Sequence, residues 1–350
     1  MDQNLYSKVS IVIPVLNERE NLEILLPKLR DYNLIIVDDR SEDGTAEFCL
    51  SQENVLFIER DRKMGLVSAI LEGFKQSERR YSYLVTLDSD TSHNPDKICA
   101  MLEFAIQNNK DLVIGSRYIK GGSSEDTIFR KVLSHGANLL YRFAFSGKVR
   151  DATSGFRVYS EKLVDFLLNE NKTDPISPSY AGQIDILNRS VKGGFSIAEY
   201  PIQFRKRNEG ESKLRTADIY SFLKLIASRG YLMRYVLVGI SGVILNELLL
   251  KAFLGVIGNM SEVIAVEASV LSNFALNDRI TFHSINHRNG HYLIRMLKYN
   301  FFNLGGIGIN ILIFLTLISY RITPLLANLV GIIAAFIFTY TMSIKVIWRR

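Results

Sequence analysis

The chain has 350 residues, of which 47% are hydrophobic and 22% are charged, and this composition excludes disorder, collagen and coiled coil as descriptions of the whole. The formal net charge of +6 falls entirely in residues 231–350, which hold 10 Lys and Arg but only 4 Asp and Glu. Because these basic residues flank apolar runs, they indicate membrane anchoring and not nucleic-acid binding.

Short apolar runs alternate with helical patterns in the first third of the chain. The runs, which are rich in β-branched residues, lie at 9–15, 34–37, 55–58, 83–87 and 112–114. The helical patterns between them lie at 18–30, 44–51, 65–77 and 95–108. Strands that are apolar on both faces and alternate with helices predict an α/β fold with a mostly parallel, nucleotide-binding sheet. No signal peptide is visible, so we expect this domain to stay in the cytosol.

The segment 216–230 has the pattern of an amphipathic helix. Its apolar face carries Ile219, Phe222, Leu223 and Ile226. This pattern predicts a helix that lies at a membrane surface, and an ordinary globular helix is the alternative.

Four apolar stretches follow, each about the length of a membrane-spanning helix. They lie at 233–257, 262–282, 299–320 and 324–347. The alternative is a soluble helical bundle, but these stretches have almost no amphipathic face that could form a hydrated side. Lys and Arg concentrate between the second and third stretches and at the C terminus, so the positive-inside rule predicts both termini in the cytosol. We therefore expect an integral, multi-pass membrane protein.

Polar clusters follow three of the predicted strands, and the first of them is Asn17-Glu18, after the first strand. Asp88-Ser89-Asp90 follows the fourth strand, and carboxylates at i and i+2 can converge on one hard divalent cation beside a diphosphate. Asp38 and Asp39 follow the second strand, where a carboxylate can accept hydrogen bonds from a base or a ribose; a capped turn is the alternative. Because ligands bind at the carboxyl ends of parallel strands, the clusters predict one nucleotide site.

These residues amount to a resemblance. PVLNE from Pro14, VDDRSEDGT from Val37 and the strand-end DSD resemble the inverting glycosyltransferases of family 2. Further segments are similar in order and spacing to the dolichol-phosphate mannose synthases. They are GSRYIKGG (115–122), RKVLSHGANLL (130–140), DATSGFRVY (151–159), AGQIDIL (181–187) and PIQFRKRNEGESKL (201–214). The last third resembles the GtrA-like membrane domain through SNFALNDRITF (272–282).

The resemblance implies a fold, a domain arrangement and a reaction. The fold is a GT-A-like mostly parallel sheet followed by an α-helical membrane domain with four transmembrane helices. The domains are a cytosolic glycosyltransferase domain over 1–215, an interfacial helix over 216–230 and a transmembrane domain over 231–350. The reaction is the inverting transfer of mannose from GDP-mannose to dolichyl phosphate, in the cell membrane or, in a eukaryote, the endoplasmic reticulum.

The resemblance also implies roles for individual residues. Asp88 and Asp90 would hold Mg²⁺ or Mn²⁺ on the donor diphosphate. The catalytic residues would be Asp90 and four basic side chains: Arg117, Arg130, Arg207 and Lys213. The donor pocket would comprise Pro14, Val15, Asn17, Glu18, Asp38, Asp39, Asp88, Ser89, Asp90 and Gln183. The acceptor phosphate would meet Arg117, Arg130, Ser134, Arg207 and Lys213. Asp185 stands where a Glu is more usual in the family.

Elementary chemistry agrees with a phosphate acceptor. A sugar hydroxyl would need a base, whereas a phosphate monoester is already anionic and needs countercharge, which Arg supplies through two parallel hydrogen bonds. Other functions stay open at this point: a glucosyltransferase that uses UDP-glucose, and a non-catalytic membrane scaffold or flippase component. The expected partners are the sugar nucleotide, the lipid phosphate and the bilayer, while protein partners are unknown and nucleic acid is not expected.

Overall fold

The computed structural model describes residues 9–77, 83–145, 147–205, 216–258, 260–283 and 291–348. These residues form two compact units. The N-terminal unit comprises Met1–Arg142 and Gly147–Leu225, and the C-terminal unit comprises Phe143–Ser146 and Ile226–Arg350.

The N-terminal unit is built on a seven-stranded sheet. The strands of the chain are β1 Ser10–Val15, β2 Asn33–Asp38, β3 Val55–Glu59, β4 Tyr83–Thr86, β5 Leu112–Ser116, β6 Ser123–Ser124, β7 Arg157–Ser160, β8 Ile197–Pro201 and β9 Gln203–Phe204. The order in the sheet is β3-β2-β1-β4-β7-β5-β8, and β6 pairs with β9 separately. The sheet is parallel except at β7, which lies antiparallel between β4 and β5. The mostly parallel α/β fold is therefore confirmed, and the five predicted strands are β1 to β5.

Helices connect these strands. They are α1 Arg19–Leu25, α2 Thr45–Leu50, α3 Leu66–Gln76, α4 Lys97–Gln107, α5 Ile128–Phe145, α6 Glu161–Thr173, α7 Ala181–Lys192 and α8 Thr216–Arg229. The first four match the predicted helical patterns. α1 ends before its predicted limit and continues as a 3-10 turn, Leu26–Lys28. Pro27 lies in that turn and lacks the N–H that an α-helix would use there.

A proline lies in β1, next to the point between β1 and β4 where the strand order of the sheet changes direction. Pro14 lies in β1, which pairs with β2 along its whole length but with β4 only from Ser10 to Val12. A proline in a central strand is tolerated where no partner needs its missing N–H. β4 ends at Thr86, which pairs with Val12, so the last three residues of β1 have no partner in β4.

The C-terminal unit contains four long helices. They are α9 Tyr231–Ile257, α10 Met260–Leu276, α11 Tyr292–Ser319 and α12 Pro324–Met342. Among the described residues, three segments are long and apolar enough to cross a membrane: Tyr231–Val256, Tyr292–Ser319 and Pro324–Ile347. The expected second span is not among them, because α10 has only 17 residues and continues as a π-helical turn, Asn277–Thr281. A second π-helical turn, Ser343–Ile347, follows α12.

Candidate active site

A cavity of about 190 Å³ lies at the carboxyl ends of β1, β2 and β4. Its lining includes seven of the residues that the sequence predicted for donor or metal binding: Pro14, Val15, Glu18, Asp39, Asp88, Ser89 and Asp90. The polar clusters of three separate strand ends therefore meet in one place. This is where ligands bind in open α/β sheets.

The two carboxylates of the Asp88-Ser89-Asp90 turn have different surroundings. Asp90 is buried, and its Oδ1 accepts hydrogen bonds from the backbone N–H of Ser92, at 3.1 Å, and from the Ser92 hydroxyl. Asp88 is more exposed, and its Oδ2 lies 3.7 Å from Nδ1 of the buried His93. Thr91, which directly follows Asp90, has a φ of 59°, and this left-handed conformation is energetically costly for a β-branched residue. The turn thus holds both carboxylates at the cavity wall.

The loop before β7 packs directly on Asp88. A Cβ atom built on Gly155 would lie 2.6 Å from Oδ1 of Asp88, so the loop leaves no room for a side chain there. The carbonyl of Gly155 also accepts a 2.6 Å hydrogen bond from the Thr86 hydroxyl at the end of β4. Gly155 therefore fixes the position of the Asp88 carboxylate.

Replacing Gly155 with alanine tests this positioning. We expect Gly155→Ala to reduce transfer by roughly tenfold to a hundredfold, because a displaced carboxylate loses a charge-assisted contact of about 1.5–3 kcal/mol. The measurement is the metal concentration for half-maximal activity, which should rise. Gly136→Ala is the matched control, since a Cβ atom there meets nothing within 4 Å. Equal metal dependence in both variants would contradict the role of Gly155.

Asp38 and Asp39 are adjacent in sequence but occupy different environments. Asp38 is fully buried and accepts hydrogen bonds from the backbone N–H and the hydroxyl of Ser41, as a capped turn requires. Asp39 lines the cavity, pairs with the buried Arg60 and accepts a 2.9 Å hydrogen bond from the Gly65 N–H. The structure therefore places Asp38 in the turn and Asp39 at the cavity wall. A donor-binding role for either remains a prediction.

Three other predicted donor residues have distinct positions. Glu18 lines the cavity and accepts a 2.7 Å hydrogen bond from the Asn21 amide. Asn17 is exposed, and its side-chain oxygen accepts a hydrogen bond from the Glu42 N–H, which ties the ends of β1 and β2 together. Gln183 is buried in α7 and is not part of the cavity lining; its side-chain amide has no hydrogen-bond partner among the described residues.

Arg117 forms a buried ion pair. Its Nε and Nη2 each lie 2.8 Å from an oxygen of the fully buried Asp151. Nη2 also contacts the hydroxyls of Ser134, at 3.2 Å, and Thr153, at 2.9 Å. Burial alone would raise the pKa of Asp151, but the hydrogen bonds and charge of Arg117 lower it. Burial would likewise lower the pKa of Arg117, and Asp151 raises it instead.

Arg130 differs from Arg117 in its surroundings. It lies on α5, its side chain is 35% exposed, and Nη1 is 3.6 Å from Oδ1 of Asp126. Asp126 also lies 3.8 Å from Nη1 of Arg117, so it links the two cations. The structure brings Arg117, Arg130 and Ser134 into one cluster. Arg207 and Lys213 fall outside the described residues.

The residues at the cavity suit a hard divalent cation that is shared with a ligand. Within the described part of the chain, no group of three or more His, Cys, Asp or Glu side chains is arranged to hold a metal by itself. Mg²⁺ is usually bound by one or two carboxylates together with substrate phosphates, and not by a complete cage of protein ligands. Asp88 and Asp90, which both line the cavity, would be these two carboxylates if such a cation binds.

Part of the cavity wall was not predicted. It consists of Leu16, Lys63, Gly65, Leu66, Ala69, Ser179, Tyr180 and Asp218. Gly65 has a φ of 98°, and a Cβ atom there would lie 2.6 Å from the Pro178 carbonyl oxygen. A glycine between a strand and a helical pattern is a signal that could have pointed to this wall. Asp218 and Tyr180 could not have been found, because they are distant in sequence and belong to no strand end.

Family models match the chain in two places. Residues 10–168 match Glycosyl transferase family 2, and residues 234–348 match the GtrA/DPMS transmembrane domain. The "Dolichol-phosphate mannosyltransferase" of Pyrococcus furiosus is 35% identical over an alignment of 363 residues, which covers 97% of this chain and 99% of that protein. The chain belongs to the dolichol-phosphate mannosyltransferase family. It is a glycosyltransferase with a multi-pass membrane domain, as the sequence predicted.

Two further proteins are similar to this chain over a smaller part of its length. The "Polyprenol monophosphomannose synthase" of Mycolicibacterium smegmatis is 36% identical over 231 residues, covering 63% of this chain and 86% of that protein. The crystal structure of S. aureus TarS 1–349 is 14% identical, with a TM-score of 0.41 over 79% of this chain and 82% of that chain. That score is too low to support an inference.

Proposed function

We propose that this protein transfers mannose from GDP-mannose to a polyprenyl phosphate such as dolichyl phosphate, with inversion at the anomeric carbon. One observation carries the proposal. Carboxylates from three strand ends line one cavity, in a chain related over its full length to a dolichol-phosphate mannosyltransferase. The products are a polyprenyl phosphate mannose and GDP.

The cavity is the donor site in this proposal. Asp88 and Asp90 would hold Mg²⁺ or Mn²⁺ at the donor diphosphate, and the cation would supply countercharge to the departing GDP. Glu18 and Asp39 lie on the same wall, where their carboxylates can accept hydrogen bonds from the base or the ribose. Arg60 and the Gly65 N–H orient Asp39 for that task.

The Arg117–Arg130 cluster is the acceptor site. A phosphate oxygen attacks the anomeric carbon without a general base, because the phosphate is already ionised at neutral pH. Two anions must then approach each other, so countercharge on the acceptor lowers the barrier. Arg130 is exposed enough to bind the phosphate, whereas Arg117 is held by Asp151 and positions Ser134 beside it.

The C-terminal unit anchors the enzyme beside its lipid acceptor. We propose that all four helices cross the bilayer, with α10 as the shortest, and that both termini lie in the cytosol. The helix α8 precedes them, and its Ile219 and Leu223 are exposed, as an interfacial helix requires.

A screen of donors and acceptors tests the function. The full-length protein in lipid vesicles is incubated with labelled GDP-mannose or UDP-glucose, and with dolichyl phosphate or dolichol. We expect a labelled lipid only from GDP-mannose with dolichyl phosphate, because dolichol lacks the anion. Transfer from UDP-glucose would instead identify a glucosyltransferase. The absence of a lipid product under every condition would refute the proposed donor and acceptor.

A further inference from the structure

The C-terminal unit contains an internal repeat of two helical hairpins, α9–α10 and α11–α12. The sequence of α9 from Arg234 is repeated in α11 from Lys298. A basic residue is followed by Tyr, then Gly, then Asn at the same spacings, in Arg234-Tyr235…Gly242…Asn246 and Lys298-Tyr299…Gly306…Asn310. Each hairpin then ends in a π-helical turn of the same length, Asn277–Thr281 and Ser343–Ile347.

The contacts within each hairpin follow the same repeat. A Cβ atom on Gly242 would overlap the Asn273 side chain of α10, and one on Gly306 would lie 2.7 Å from the Thr339 side chain of α12. Asn273 and Thr339 each lie one residue before an aromatic residue that enters the core of the unit. The two hairpins therefore pack in the same way.

The contacts between the hairpins are reciprocal as well. The Tyr235 hydroxyl lies 3.4 Å from Oγ of Ser343, which begins the second π-helical turn. The Tyr299 hydroxyl accepts a 3.4 Å hydrogen bond from Asn277, which begins the first. Phe282 and Trp348, which follow the two turns, stack on each other with ring centroids 4.5 Å apart. These positions in one hairpin thus have structural counterparts in the other.

Charged residues break this repeat on one hairpin only. Glu247 and Lys251 of α9 are exposed, and at the corresponding positions α11 has Ile311 and Leu315, which are also exposed. Glu267 of α10 likewise corresponds to the exposed Ile333 of α12. These two residues are as far apart in sequence as the first residues of the two π-helical turns, Asn277 and Ser343. Since apolar residues occupy these positions in the second hairpin, the hairpin fold does not require charge there.

The charges lie at membrane depth. At 1.5 Å per residue, Glu247 is about 15 Å and Lys251 about 9 Å from the Ile257 end of α9, so Glu247 lies near the middle of a spanning helix. Both side chains are exposed, and neither has an ion-pair or hydrogen-bond partner in the described part of the chain. A charge that faces lipid at this depth costs about 2.5–3.5 kcal/mol, which a partner helix with the opposite charge would offset.

We propose that the exposed face of α9 is an interface at which two copies of this chain associate in the membrane. Its charges are self-complementary, because Glu247 and Lys251 are opposite in sign and one helical turn apart. Around a twofold axis, Glu247 of each copy can pair with Lys251 of the other, as an isologous interface requires. The exposed apolar residues Val243, Ile244 and Leu248 on the same face complete the contact.

Disulfide cross-linking with a matched control tests the interface. Leu248→Cys places a thiol beside Glu247, and Leu312→Cys places one at the corresponding position of α11; both leucines are lipid-facing, at 61% and 67% exposure. The variants are placed in vesicles at a low ratio of protein to lipid and mildly oxidised. We expect the yield of covalent dimer from Leu248→Cys to be at least severalfold higher than that from Leu312→Cys. The unmodified protein gives the background from Cys49 and Cys99. Equal cross-linking at the two positions would overturn the proposal.

Charge exchange separates pairing between copies from pairing within one helix. Glu247→Lys and Lys251→Glu should each abolish the dimer alone, because each variant presents charges of one sign. Co-expression of the two variants with different tags should restore association, measured by co-purification. If they do not co-purify, pairing between copies is excluded. The proposal also fails if the unmodified protein is monomeric in vesicles, which would indicate a different membrane partner, or if Glu247→Ile with Lys251→Leu leaves the dimer unchanged.

Discussion

Replacing Asp90 with asparagine is expected to reduce mannosyl transfer by roughly a hundredfold to a thousandfold, the range seen when one preorganised electrostatic contact to a transition state is lost. Asn keeps the shape of the side chain and can still accept the hydrogen bond from Ser92, so the turn is retained. The variant lacks the negative charge of the Asp90 carboxylate, which we propose binds the divalent cation. The measurement is the transfer rate as a function of Mg²⁺ and Mn²⁺ concentration.

Asp96→Asn is the control for this prediction. Asp96 is exposed before α4, belongs to the same connection and is not part of the cavity lining. It should leave the rate and the metal dependence unchanged. Thermal unfolding of the Asp90 variant should match that of the unmodified protein. Transfer that persists in EDTA, or an Asp90→Asn variant with an ordinary rate, would refute the metal assignment.

The strands that are easiest to predict are those buried on both faces, although the partly exposed β3 was predicted as well. β1, β2 and β5 are continuous apolar runs, and such runs stand out whatever they pair with. The position of β7 could not be predicted. Its four residues include a buried Arg157, and no local pattern indicates that it inserts antiparallel between β4 and β5. Sheet order is decided by contacts between segments far apart in sequence.

The bounds of the second predicted span show the limit of hydropathy. The stretch 262–282 combines α10 with the π-helical turn after it, although Ile280 is the one apolar residue of that turn. The turn is anchored by side chains that hydropathy ignores. Asp278 accepts hydrogen bonds from Arg295, at 2.9 Å, and from the indole N–H of Trp348, at 2.8 Å.

At the site, sequence position indicated where polar residues gather but not what each side chain does. Asp38 and Asp39 are chemically identical neighbours, and only the structure shows that Ser41 holds the first while the second reaches the cavity. Arg117 and Arg130 were likewise assigned one role. Their difference depends on Asp151, which is distant in sequence and buried beside Arg117 alone.

The contrast between these two arginines leads to a prediction about stability. Asp151→Asn should lower the free energy of unfolding by about 3–5 kcal/mol, because it leaves the buried Arg117 charge without its partner. Arg117→Lys should lower it by about 1.5–3 kcal/mol, since Lys keeps the charge but loses the two parallel hydrogen bonds to Asp151. Because Arg117 lowers the pKa of Asp151, the pair is fully formed at neutral pH, and its contribution is lost only as the pH falls below about 3.9.

Arg130→Lys should affect the transfer rate strongly and the stability of the fold little. The Arg130 side chain is partly exposed, and its one described ion pair is the 3.6 Å contact with Asp126, so stability should change by less than about 0.5 kcal/mol. Transfer to dolichyl phosphate should fall by roughly tenfold to a hundredfold, because the two-point contact with the acceptor phosphate is lost, while GDP-mannose affinity changes little. Thermal unfolding, transfer rate and nucleotide affinity, measured for Arg117→Lys and Arg130→Lys together, distinguish the roles. An Arg130→Lys enzyme with an unaltered transfer rate would show that Arg130 is an ordinary solvated charge, and it would remove the main residue-level reason for placing the acceptor phosphate at this cluster.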